Sequence, residues 1–242
     1  MAAAPETLGT STQLDPSLQQ LRVWVRDGRI RTAYDALNAL HRADLAGMGP
    51  RLDRYDRAWL DALRVECLIA RGESASAVDW VEQLRDLVVG PGAAVALHAR
   101  AEVASARGAH ERSLQLYLAS GTALASETFA AHPEHPVEVD VPWRVGAALS
   151  LVRCGRRLVA GDLVLEEHAL AVERHDRHSA ARALRTLATI AADGRAVERL
   201  EEARALLEPD GSRRLAARID TDLAGLMVLH GDVARAAVLL RD

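Results

Sequence analysis

The chain has no lysine: all 30 of its basic residues are arginine. A phosphate-binding loop of the GxxxxGK[ST] type needs a lysine at its end, so that way of binding nucleotide is excluded here. Aromatic residues make up only 3% of the chain, against 49% hydrophobic residues in total. The apolar mass is therefore Ala, Leu and Val, which suit helices packed closely at small contacts. There are two cysteines, Cys67 and Cys154, and neither lies in a CxxC. That count excludes a disulfide framework and points to a reducing, cytoplasmic setting. No run of about 18 apolar residues occurs, which argues against a membrane span. The first residues, MAAAPETLGTSTQLD, lack a basic start and an apolar core, so they do not read as a secretion signal. Residues 1–15 are expected to be a flexible tail ahead of a single domain covering 16–242. The net charge of −4 gives no general pull toward nucleic acid, and no direct contact with it is expected.

What the chain does have is a repeat. Gly28, Gly72, Gly108, Gly155, Gly194 and Gly231 serve as its anchors. Seven residues before them stand Leu21, Val65, Ala101, Ala148, Leu187 and Ala224. Four before stand Trp24, Leu68, Ala104, Leu151, Ile190 and Met227. A spacing of three puts both apolar columns on one helix face. Nine after stand Leu37, Val81, Tyr117, Val164, Ala203 and Leu240, all apolar. Five after stand Ala33, Ala77, Ser113, Ala160, Arg199 and Ala236; only Arg199 is not small, so the fifth unit is expected to be shorter or shifted.

Each glycine fits a left-handed residue closing one helix and turning into an antiparallel second one. Three of the intervals are about 36 to 39 residues, typical of helical hairpins that stack. The two longer ones take up their extra residues in Asp44–Tyr55 and Ala131–Val141, which carry Pro and Gly and read as loops. The expected fold is all-α: a right-handed superhelical solenoid of about six antiparallel hairpins, each burying its apolar face against the next.

The spacing around the glycines is similar to tetratricopeptide (TPR) repeats. The block PWRVGAALSLVRCGR from Pro142, ALRTLATI from Ala183, RLEEARALLEPDGSRRLAARIDTDL from Arg199 and the closing LHGDVARAAVLLRD resemble the repeat region of large ATP-binding LuxR-type transcription regulators. That resemblance implies a sensor and coupling segment acting on nucleotide-binding and helix-turn-helix domains that this sequence does not contain. The alternative is a free-standing TPR-type scaffold or adaptor. Either implies a protein partner or small effector in the concave groove, with self-association possible.

Sites of chemistry are sparse. His132 and His135 flank Glu134 in HPEH, but the prolines keep the segment extended and no third metal ligand stands near. His168, His175 and His178, with Glu166, Glu167 and Asp176, read as a solvated face. Cys154, beside Arg153, Arg156 and Arg157, reads as a small residue at a helix end. No GxSxG or HExxH occurs. No catalytic residue, cofactor or metal site is expected. The candidate partner contacts are Arg100, Trp143, Arg144 and Arg185, all on first helices. Trp143 is read first as a staple for the incoming loop and second as a contact; Arg144 offers a planar fork for carboxylate or phosphate.

Overall fold

Gly28, Gly72, Gly108, Gly155, Gly194 and Gly231 all adopt positive φ, between 75° and 86°. Each stands at the corner of a helical hairpin. The computed structural model describes residues 17–49, 52–87, 89, 92–129, 141–191, 193–207 and 212–241. The first hairpin is α1 (Leu18–Arg26) and α2 (Ile30–Leu45); the second is α3 (Arg54–Ala70) and α4 (Ser74–Gln83), which runs into a 3-10 turn, Leu84–Leu87. Then come α5 (Ala93–Ala106) with α6 (His110–Phe129), α7 (Trp143–Arg153) with α8 (Arg157–Glu173), and α9 (Arg177–Ile190) with α10 (Ala196–Leu207). The last pair is α11 (Arg213–Leu229) and α12 (Val233–Leu239). No strand occurs among the described residues. The hairpins stack as the right-handed, TPR-like solenoid expected from the repeat.

The corners show why the glycine and the column four residues before it travel together. At Gly28 the amide of Arg29 donates to the Trp24 carbonyl at 2.8 Å, and that of Gly28 to Val25 at 3.1 Å. These are the two bonds that satisfy the last carbonyls of a helix when its next residue turns left-handed. The same pair recurs at Gly72, Gly108, Gly155 and Gly231, with Leu68, Ala104, Leu151 and Met227 supplying the distal carbonyl.

The fifth corner differs. α9 stops at Ile190, four residues before Gly194, whereas the other first helices stop two before their glycine. Arg157 of α8 donates to the freed Ile190 carbonyl, and Arg199 binds Asp193 within the corner. Arg199, which breaks the small-residue column, thus has its own task, and Leu200 fills the core beside it.

The column seven residues before the glycines is buried in all six copies, from 0% to 3% exposed. The small-residue column is equally buried at Ala33, Ala77, Ser113, Ala160 and Ala236. The column nine after departs at its end: Leu240 is 59% exposed. α12 is seven residues long and stops just short of it, so no described residue covers that side chain.

The core is a chain of small cores. One joins α1, α2 and α3, and the next α3, α4 and α5. Further ones join α5, α6 and α7, then α7, α8 and α9, then α9, α10 and α11. Every hairpin but the last thus buries its face against the first helix of the next. Between hairpins, helix reaches further into Asp44–Tyr55 than the loop reading allows: α2 runs to Leu45 and α3 starts at Arg54. Residues 1–15 and the HPEH histidines, His132 and His135, lie outside the described residues.

Candidate functional site

First helices lie side by side along the stack, α1 on α3, α3 on α5, α5 on α7 and α7 on α9. They also meet across it, for α1 touches α11. Arg214 of α11 pairs with Glu66 of α3 at 2.5 Å, across 148 residues of sequence. The space between these helices is the inner groove, and its charged groups come from two rows.

The acidic row lies on α3 and α5. Glu66 and Glu102 both stand six residues before a corner glycine, one step from the buried column, and so on the edge of that face. The hydroxyl of buried Tyr117 donates to Glu102, and His98 lies 3.9 Å from the same carboxylate. Burial, and secondarily Glu102, hold the Tyr117 hydroxyl pKa well above its usual value.

The basic row lies on α11. Arg214, Arg218 and Asp222 follow at steps of four, the spacing of one helix face. Asp222 accepts from Arg185 of α9 at 2.7 Å. Arg218 is crowded: burial first, then Arg214 and Arg185, lower its pKa, while Glu66 and Glu102 act in the opposite sense. Arg218 as a whole residue is exposed, one turn beyond Arg214 on the same face of α11. Each groove carboxylate has a polar partner: Glu66 has Arg214, Glu102 has Tyr117, and Asp222 has Arg185. Arg218 forms no hydrogen bond or ion pair with a described residue.

Of the four contacts expected from sequence, Arg185 lies in this set. Arg100 is half-buried on α5 and pairs with no described residue. Arg144 is engaged by α8, with Glu166 and Glu167 each at 3.2 Å, and its guanidinium lies 4.5 Å above the Trp143 ring. Trp143 opens α7 and lies on Gly121 of α6; a Cβ added there would meet the ring at 2.5 Å. It also packs against the first core and the core of α5, α6 and α7, as a staple would. Glu66, Glu102, Arg214 and Arg218 were not singled out by sequence. The signal was present in two forms, charges at a fixed step from the buried column and basic residues four apart on α11.

A second concavity, about 430 Å³, lies between α10, α11 and α12. Its polar groups pair with one another, Arg204 with Asp220 at 3.0 Å and Arg235 with Glu201 at 3.9 Å, above Leu223, Met227 and Val238. No group of three His, Cys, Asp or Glu able to hold a metal occurs among the described residues, and no helix there is long and apolar enough to cross a membrane. Cys67 is fully buried and its thiol pKa is pushed up to about 12, chiefly by burial.

These features define a class: a helical-hairpin repeat protein of the TPR-like kind. No family model and no curated protein matches the chain. Among solved structures it is similar to a Podosopora anserina protein described as having kinesin-light-chain TPR-like repeats, at 19% identity over 83% of this chain and 93% of that one, TM-score 0.46. A singly substituted form of that protein is similar at 17% identity over 79% of this chain and 93% of its own, TM-score 0.46.

Proposed function

We propose that this chain is a non-catalytic module of the cytoplasm that takes a protein partner, or a small effector bearing the same group, into its inner groove. The recognised group is a carboxylate, and Arg218 receives it. One observation carries the reading: the groove's acids are each engaged and a guanidinium is left over. Arg218 is exposed beside the groove with no described partner, so its planar fork is open to a carboxylate from outside.

By its resemblance in Pro142–Leu240, the module serves as the sensor and coupling segment of a LuxR-type regulator. Binding there biases the solenoid toward one of two shapes, and domains beyond this sequence read the shape. A second reading is a free-standing scaffold or adaptor of the same repeats. A helix-turn-helix encoded in the same transcript supports the first, and an unrelated neighbour supports the second.

Fluorescence anisotropy with fluorescein-labelled deca-glutamate tests the groove. Binding is expected to weaken about tenfold in Arg218→Ala, the order of one charge-assisted hydrogen bond, while Arg235→Ala, in the outer cleft, leaves it unchanged. Equal binding by native protein and Arg218→Ala would remove the groove from consideration.

A further inference from the structure

We propose that the contact between the two ends of the solenoid is an electrostatic latch, and that its opening sets the width of the inner groove. Three contacts make the closure. Arg214 of α11 pairs with Glu66 of α3 at 2.5 Å. α1 touches α11. The first corner abuts the start of α11, where a Cβ placed on Gly28 would stand 3.6 Å from that of Arg214.

The closure lacks an apolar core. The core of the first hairpin draws on α1, α2 and α3, with Val95, Val141 and neighbours from α6 and α7, and reaches no residue of α11. The core that holds α11 is built from α9 through α12. Elsewhere neighbouring hairpins share buried side chains, but the two ends meet through charge and light backbone contact. Glu66 is 48% exposed, so water and salt compete for the pair. Such a contact is reversible, and the continuous cores between the ends let the stack flex without unfolding.

The pair also balances charge on α11. With Glu66 in place, Arg214 is neutralised. Without it, Arg214 and Arg218, one turn apart on α11, are left side by side, while Arg185 keeps Asp222. A carboxylate that enters the groove and draws Arg214 away from Glu66 opens the same contact, but the latch exists without any ligand, so its test is separate from that of the binding reading.

Small-angle scattering of the full chain reads the latch. The radius of gyration is expected to rise as NaCl goes from about 0.05 to 1 M, where the screening length falls to a few ångströms. Glu66→Arg should show the expanded form already at low salt. Glu66→Gln should lie between the two, its closed-to-open ratio changed by up to about fivefold, the limit for an exposed pair. Glu66→Arg combined with Arg214→Glu should be compact again, which general destabilisation would not produce; circular dichroism checks that helicity is kept. A radius independent of salt in the native chain and in Glu66→Gln would overturn the latch. So would failure of the charge-swapped double variant, with helicity retained, to contract.

Discussion

At the scale of the residue, His175 does a glycine's work. It joins α8 to α9 with φ of 56°, and its corner is bonded like the glycine corners: Asp176 donates to the Ala171 carbonyl at 2.9 Å and His175 to Val172 at 3.1 Å. A left-handed residue with a Cβ costs roughly 1–2 kcal/mol, and glycine avoids that at some loss to the unfolded chain. His175→Gly is therefore expected to stabilise the protein by about 0.5 kcal/mol, and Gly155→Ala to destabilise it by about 1 kcal/mol, both read from urea unfolding midpoints. A search for glycines passes over this corner, because histidine reads first as a ligand or a surface charge. The backbone, not the ring, is what positions it there.

At the scale of the element, α6 and α7 show how little space separates neighbouring hairpins. A Cβ on Gly146 of α7 would stand 2.3 Å from the Tyr117 ring, which is itself buried in α6. In an open helix, Gly→Ala gains about 1 kcal/mol of helix propensity. Here the collision wins, and Gly146→Ala is expected to lower stability by about 2 kcal/mol in thermal or chemical unfolding, as overpacking does.

Helix positions were legible in the sequence because each is fixed locally. The glycine, the carbonyl four before it and the buried residue seven before it all belong to one corner. The irregularity of the fifth unit was legible too, since Arg199 stood in a column of small residues; its cause, a shortened α9 tied by Arg157 and Arg199, was not. The groove was half legible. Arg185 could be assigned to a first helix, but Glu66 and Arg214 are 148 residues apart. Such a pair leaves no local period, because it depends on how far the whole stack has curved.

At the scale of the whole molecule, stability should be uneven along the stack. α5, α7 and α9 lie between neighbours on both sides and bury most of one face. α12 buries only Ala236 and leaves Val233 and Val238 exposed. In hydrogen exchange, amides of α5, α7 and α9 are expected to exchange slowest and those of α12 fastest. α1 should be more protected than α12, since it has the first core beneath it and α11 beside it. Uniform protection from α1 to α12 would contradict a stack of separately packed units.

The corners at Gly72, Gly108, Gly155, Gly194 and Gly231 share one further property: nothing lies within 4 Å of where a side chain would begin. Each bend projects into solvent, away from the cores that hold its two helices together. A foreign peptide spliced into such a bend would have room to leave the surface, and the bonds it displaces are confined to one turn of helix. The protein thus offers a row of outward ports for tags or reporters, spaced a hairpin apart, with Gly28 the exception because α11 already stands against it.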